Sequence, residues 1–203
     1  LIMKDLKGKT AFITGGAEGI GFHIGRVLAQ REMNVMLADI DAKMLDSAVA
    51  TLKKEGLSVD GVACDVISKA ALQNAAQKTI ETFGKVHLLV NNAGVACEGA
   101  QDRIEEGDWR WVIDVNLMSV VYGAQVFVPI MKAQKEGGHV MNVSSIAGMK
   151  GFSFAGPYCA TKAAVVSLSE SWRAEFENKN ISVSVFCPGF VKSRIYDSKR
   201  NRH

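Results

Sequence analysis

Six short apolar runs alternate with longer helical patterns. This alternation restricts the possible folds of the chain more than any other feature of the sequence. The runs lie at residues 10–14, 34–38, 59–64, 86–90, 139–143 and 182–187, and the helical patterns at 19–31, 41–55, 68–83, 108–135 and 156–178. Runs that are apolar on both faces are typical of strands buried between helices. The alternation predicts an α/β fold with a doubly wound parallel sheet of six strands, the Rossmann type, and a ligand outside the carboxyl ends of the strands.

The length and composition favour one domain over residues 1–203. The 203 residues are 48% hydrophobic, and the apolar residues are spread along the whole chain, which is enough for one sizeable core. The 24 basic and 21 acidic residues are interleaved over most of the length. This distribution argues against a nucleic-acid partner, and the basic end SKRNRH is interpreted as a solvated tail.

The cysteines and the hydropathy pattern predict a cytoplasmic protein. Cys64, Cys97, Cys159 and Cys187 form no C-x-x-C pair and have no histidine spacing that completes a zinc site. Reduced thiols are therefore expected, and no metal. No segment approaches the roughly 20 apolar residues of a membrane span, and residues 1–10 lack the apolar stretch of a secretory signal. We expect no membrane association.

The segment TGGAEGIG, residues 14–21, places glycines between the first predicted strand and the first helix. The spacing Gly15-x-x-x-Gly19-x-Gly21 differs from G-x-G-x-x-G, yet it would likewise let a pyrophosphate approach a helix N-terminus. On this motif alone, a glycine-rich turn without a ligand is an equal alternative.

Asp39 ends the second strand 20 residues after Gly19, where a carboxylate can accept hydrogen bonds from ribose hydroxyls. Together these features indicate a dinucleotide. A 2′-phosphate would face Asp39 and Glu18, so NAD is favoured over NADP.

Tyr158 and Lys162 are four residues apart in a helical pattern. That spacing puts them about 6 Å apart on one helix face. A free tyrosine has a pKa near 10, too high for a base at neutral pH, and a neighbouring ammonium favours the phenolate. The pair therefore suits proton transfer, although a surface tyrosine beside an unrelated lysine has the same spacing.

Several motifs in a fixed order make the chain resemble the short-chain dehydrogenases/reductases from about residue 8 to 193. The matching residues are Thr14, Gly15, Gly19 and Gly21; Asp65 and Val66; Asn91, Asn92, Ala93 and Gly94; Asn116; Ser145; Tyr158 and Lys162; and Pro188 and Gly189. The resemblance implies that Asn116, Ser145, Tyr158 and Lys162 are catalytic. With the features above, it implies cofactor contacts at Gly15, Glu18, Gly19, Ile20, Gly21, Asp39, Asp65, Val66, Asn92, Ala93, Gly94, Tyr158, Lys162, Pro188, Gly189, Val191 and Ser193.

The resemblance also implies a role for each catalytic residue. Tyr158 would exchange a proton with a substrate hydroxyl while a hydride passes to or from nicotinamide. Ser145 would hold the substrate oxygen, and Lys162 would lower the tyrosine pKa and bind the nicotinamide ribose. Asn116 would position a water that links Lys162 to solvent. The adjacent Ser144 is expected to be structural, with an exchange of the two serine roles left open.

The expected function is that of an NAD-dependent oxidoreductase acting on a secondary alcohol or ketone, assembled as a homodimer or homotetramer. Cys97, Phe152, Phe154 and Phe190 are candidates for an apolar substrate cleft. One alternative is an epimerase or dehydratase that retains its NAD. Another is a non-catalytic NAD-binding sensor or scaffold, which would have no need of the four catalytic residues together.

Two features depart from the family pattern. Ser193 stands where the family commonly has a threonine that touches the nicotinamide carboxamide. The family's seventh strand is absent from the chain, so residues 189–203 are interpreted as the start of a substrate loop and the C-terminal part is expected to be missing.

Overall fold

The computed structural model describes residues 5–191, 194, 195, 197 and 198. The strands are β1 (Thr10–Thr14), β2 (Asn34–Asp39), β3 (Val59–Ala63), β4 (Leu88–Asn91), β5 (Gly138–Val143) and β6 (Ile181–Phe186). They form one parallel sheet in the order β3-β2-β1-β4-β5-β6. The order reverses between β1 and β4, the switch point at which ligands bind in such sheets. The predicted fold class is confirmed.

Six α-helices join the strands. They are α1 (Gly19–Gln30), α2 (Ala42–Lys54), α3 (Lys69–Phe83), α4 (Glu106–Ile113), α5 (Ser119–Gln134) and α6 (Gly156–Phe176). A π turn, Asp114–Met118, links α4 to α5, and 3₁₀ turns lie at Ile146–Gly148 and Glu177–Lys179. The helix predicted at 108–135 is therefore three segments, because the backbone widens by one residue at the π turn. The other predicted bounds agree to within two residues.

Two helix starts follow from side-chain caps. Asp41 precedes α2, and its Oδ1 accepts a hydrogen bond from the Met44 N–H at 3.0 Å. Ser68 precedes α3, and its Oγ accepts from the Ala71 N–H at 3.2 Å. Each cap satisfies a backbone donor that the first helical turn leaves without a partner.

Consecutive residues of β1 point into two separate cores. Phe12 packs into the core that includes Phe127 on α5, with ring centroids 4.4 Å apart. Ile13 packs into the core on the other face, with Leu37 and Leu45. A strand alternates its side chains between faces, so a central strand covered on both sides is apolar throughout. This explains why TAFIT shows no polar alternation.

The continuous helix Glu106–Gln134 is 29 residues long and apolar enough to cross a membrane by length and composition. This corrects the expectation that no segment approaches a membrane span. Half of its most apolar window is buried inside the protein, where α5 packs on the sheet. The burial explains the composition, since a helix between a sheet and other helices is apolar on several sides.

Candidate active site

A cavity of about 480 Å³ lies at the carboxyl ends of the strands. The residues that immediately follow each strand line it: Gly15, Ile40, Cys64, Asn92, Ser144 and, one position further on, Pro188. The predicted site residues that line it are Gly15, Glu18, Gly19, Ile20, Asp39, Asp65, Val66, Asn92, Ala93, Gly94, Ser145, Tyr158, Lys162, Pro188, Gly189 and Val191. Gly21 and Asn116 are not among the lining residues, and Ser193 lies outside the described residues.

The glycine loop is tied to the end of β4 by hydrogen bonds. The Asn92 amide donates to the carbonyls of Thr14 and Gly15, both at 2.9 Å, and the Thr14 hydroxyl accepts from the N–H groups of Asn92 and Ala93 at 3.0 Å. Gly15 has a φ of 62°, in the left-handed region that favours glycine. Asn92 therefore shapes the loop with its amide while lining the cavity.

Gly21, in the first turn of α1, packs against the backbone of the glycine loop. A Cβ at this position would lie 2.1 Å from the Gly15 carbonyl oxygen. Only a hydrogen atom fits there, so the first turn of α1 can pack directly on the loop. The N-cap residue Glu18 makes no side-chain hydrogen bond to the helix N–H groups. A backbone cradle at a helix N-terminus, without a side-chain cap, fits a pyrophosphate.

The carboxylate of Asp39 is held in place by two backbone donors. Its Oδ2 accepts from the Ala17 N–H at 3.0 Å and its Oδ1 accepts from the Asp41 N–H at 3.1 Å. Each carboxylate oxygen has a second lone pair, so the group can still accept from ribose hydroxyls. Asp65, which follows β3, uses its Oδ1 to accept from the Ile67 N–H at 3.2 Å beside the same cavity.

Lys162 is almost fully buried beside Tyr158. Its Nζ lies 5.6 Å from the centroid of the Tyr158 ring and donates to the Val143 carbonyl at 3.0 Å. A Cβ at Gly94 would lie 3.3 Å from the same Nζ, so a glycine there leaves room for the ammonium. Burial lowers the pKa of Lys162 from 10.5 to about 8. The side chain is still mainly protonated at neutral pH.

The two adjacent serines use their hydroxyls differently. Ser144 Oγ is buried and donates to the Lys162 carbonyl at 2.7 Å, which ties the end of β5 to α6. Ser145 Oγ accepts from the Ala147 N–H at 3.1 Å at the start of the short 3₁₀ turn. An oxygen that accepts one bond can still donate its own hydrogen to a ligand. The geometry favours Ser144 as a structural residue and Ser145 as the one that contacts a ligand.

Asn116 lies in the π turn, and its side chain forms hydrogen bonds with other residues of the protein. Its Oδ1 accepts from the Val95 N–H at 2.8 Å, and its Nδ2 donates to the Val95 carbonyl at 2.9 Å and to Thr161 Oγ at 3.2 Å. These bonds clamp the segment after β4 to α6. The side chain thus has a positioning task that the sequence did not reveal, and π turns often occur at functional sites.

Phe152 and Phe190 line the cavity, with ring centroids 6.4 Å apart in an edge-to-face arrangement. Phe154 and Cys97, the other two candidates for an apolar cleft, are not among the lining residues. The structure also brings Arg194 to the cavity, which the sequence analysis did not single out. Its position in the segment after Pro188 and Gly189 was the available signal, since that segment was expected to lie beside the site.

Comparisons with known proteins show which family the chain is similar to. A family model described as short chain dehydrogenase matches residues 9–203. A C alpha-dehydrogenase from Sphingobium is 39% identical over 201 residues, 98% of this chain, and the chain spans 66% of that relative's length. A CLA biosynthesis dehydrogenase/reductase from Lactiplantibacillus plantarum is 37% identical over 98% of this chain and 71% of its own length.

A solved structure gives the same picture of the fold. The crystal structure of a short chain dehydrogenase/reductase from Burkholderia phymatum in complex with NAD superposes with a TM-score of 0.97. It is 41% identical in sequence, and the match covers 99% of this chain and 72% of that one.

Proposed function

The chain belongs to the short-chain dehydrogenase family, and from that premise we propose that it transfers a hydride between NAD(H) and a secondary alcohol or ketone. The observation that carries the proposal is the buried Lys162 ammonium 5.6 Å from the Tyr158 ring, in a cavity that Ser145 also lines. An ammonium so close favours the phenolate of Tyr158, and the cavity gives a substrate access to both residues.

Each residue has a distinct task in alcohol oxidation. The Tyr158 phenolate takes the hydroxyl proton of the substrate, and Ser145 donates a hydrogen bond to the substrate oxygen as negative charge develops there. The glycine loop and Asp39 would hold NAD⁺, which would supply the hydride acceptor. The products are a ketone, NADH and a protonated Tyr158. In reduction, Tyr158 returns the proton to the oxygen.

Lys162 and Asn116 support the proton transfer. Lys162 stabilises the phenolate electrostatically and, next to Gly94, can reach the hydroxyls of a nicotinamide ribose. The Asn116 side chain is bound to Val95 and Thr161. We therefore propose that it positions the Val95 segment, and its expected role in placing a water beside Lys162 stays a prediction.

The NAD preference rests on Asp39. Its carboxylate is fixed by the Ala17 and Asp41 N–H groups at the position proposed for the adenosine ribose. A 2′-phosphate there would bring two negative groups together, which disfavours NADP. The Burkholderia relative was solved with NAD.

The substrate half of the cavity favours an apolar molecule. Phe152 and Phe190 pack edge to face on each other in its lining, and Ile146 and Val95 also line it. Burying apolar surface against such side chains contributes about 25 cal/mol per Å². We propose an apolar secondary alcohol or ketone as the substrate.

We further propose a cytosolic homodimer or homotetramer. The four cysteines are present as thiols, which fits a reducing compartment. Sedimentation of the dilute protein as a stable monomer would contradict the assembly.

The test of the function is Tyr158→Phe, which removes only the titrating hydroxyl. With a panel of apolar secondary alcohols and NAD⁺, we expect kcat/KM to fall by about 10²–10⁴-fold while the Kd for NAD⁺ changes less than about threefold. Tyr122→Phe is the matched control, because Tyr122 packs against the core on α5 and does not line the cavity. Retention of most of the wild-type kcat/KM by Tyr158→Phe would refute the role of Tyr158. NAD⁺ binding without turnover of any alcohol would favour the sensor alternative.

A further inference from the structure

The charges around the cavity are unfavourable for an anionic ligand. Among the described lining residues, five carry carboxylates, Glu18, Asp39, Asp41, Asp65 and Glu98, and two carry cations, Lys162 and Arg194. A dinucleotide brings a pyrophosphate with two further negative charges. Backbone N–H groups and a helix dipole offset part of this repulsion, but a cation near the phosphates would offset more.

Lys162 is poorly placed for that task. Its Nζ is buried, donates to the Val143 carbonyl and lies beside Gly94 and the Tyr158 ring. Gly94 follows β4, Val143 ends β5 and Tyr158 lies in the first turn of α6, whereas the glycine loop follows β1. The ammonium therefore serves the reacting end of the cavity.

Arg194 reaches the glycine loop from the far side of the sheet. It follows β6, the edge strand, yet its Nη1 lies 3.8 Å from Glu18 Oε2 at the start of α1 and 3.6 Å from Met44 Sδ on α2. Its Nη2 also lies 3.1 Å from Asp197 Oδ2. The segment after β6 therefore places this guanidinium on the β1–β2 side of the cavity.

We propose that Arg194 is a cofactor-binding residue whose guanidinium neutralises Glu18 and holds the pyrophosphate of the dinucleotide against the glycine loop. This inference rests on the proposed dinucleotide function. A guanidinium can bind a carboxylate and a phosphate oxygen at once, because its donors form a planar fork. The side chain is half-exposed, 50%, and lines the cavity, so a ligand in the cavity can reach the guanidinium.

The test compares ligands that contain or lack the pyrophosphate. Calorimetric titration of wild type, Arg194→Met and Arg194→Lys with NAD⁺, ADP-ribose and adenosine separates the phosphate contribution from the adenosine contribution. We expect Arg194→Met to raise the Kd for NAD⁺ and for ADP-ribose at least tenfold, since a charge-assisted hydrogen bond is lost. The Kd for adenosine should change less than twofold, and Arg194→Lys should recover part of the loss.

Arg26→Met is the matched control. Arg26 is an arginine on α1 with an ion pair to Glu55 at 2.9 Å and a side chain 42% exposed, but it does not line the cavity. Its substitution should leave all three Kd values unchanged. Thermal melting of each variant checks that the fold is retained.

Three results would overturn the proposal. The first is an Arg194→Met variant that binds NAD⁺ within twofold of wild type. The second is an equal loss for adenosine and ADP-ribose, which would mean that the substitution distorts the adenosine site. The third comes from a further titration with NADP⁺: a larger loss for NADP⁺ than for NAD⁺ would place the guanidinium at the 2′-phosphate instead. If the wild type binds neither NAD⁺ nor ADP-ribose, the proposed function itself fails.

Discussion

Burial of Lys162 makes the stability of the protein depend on alkaline pH in a predictable way. The pKa of Lys162 is about 8 in the folded protein and 10.5 ordinarily. Below pH 8 the side chain is charged in both the folded and the unfolded chain, and the cost of burying the charge is present in full. Between pH 8 and 10.5 the folded protein has lost the proton and the unfolded chain still binds it. Folding stability therefore rises with pH in this window.

The size of the effect follows from the pKa difference of about 2.5 units. At 1.36 kcal/mol per unit, the full change is about 3 kcal/mol, and about 2 kcal/mol of it should have appeared by about pH 9.5. Lys162→Met lacks the titrating group but keeps a similar apolar stem. Tyr158 titrates together with Lys162, so both proteins also carry Tyr158→Phe, and the contributions of the remaining lysines, tyrosines and cysteines cancel in the difference.

The assay is urea denaturation of Tyr158→Phe and of Tyr158→Phe/Lys162→Met from about pH 7 to about pH 9.5 without cofactor. We expect the free energy of unfolding of Tyr158→Phe to gain about 2 kcal/mol relative to the double variant over this range. The difference at neutral pH also contains the lost hydrogen bond to Val143, but that contribution is nearly constant with pH. Profiles that stay parallel within about 0.5 kcal/mol would refute the buried-charge reasoning.

Three further outcomes are expected. Asp39→Ala should lower the ratio of NADP⁺ to NAD⁺ Kd values at least tenfold in fluorescence titrations, and an unchanged ratio would contradict the cofactor assignment. Gly21→Ala places a Cβ 2.1 Å from the Gly15 carbonyl and should cost about 2–3 kcal/mol in urea denaturation, whereas Gly151→Ala, with open space around it, should be near neutral. His87 is buried and accepts from a backbone N–H through Nδ1, and burial lowers its pKa. Stability should therefore fall as the pH drops below about 6.5, and His87→Gln should weaken that fall, which an unchanged pH profile would disprove.

The features that sequence predicts well here are local. β1 is buried at every position and apolar at its three central ones, as expected of a strand covered on both faces, and Ser68 caps α3 within three residues of sequence. Tyr158 and Lys162 share a helix face because their spacing alone dictates it. The π turn at 114–118 was missed, because its i→i−5 bonding is selected by the packing of Asn116 against Val95 and Thr161.

The sequence by itself determined the order of strands and helices along the chain, the glycine loop after β1 and the residue types at the carboxyl ends of the strands. Those properties depend on backbone sterics and on apolar periodicity, which act between near neighbours. The tertiary structure alone decided which polar atoms remain available to a ligand. In the folded protein the Asn116 side chain is hydrogen-bonded to Val95, and the Ser144 hydroxyl donates to the Lys162 carbonyl. Arg194, which follows β6, lies beside Glu18, which follows β1. Such pairings join residues up to 176 positions apart, and their geometry is set only when the strands take their order in the sheet.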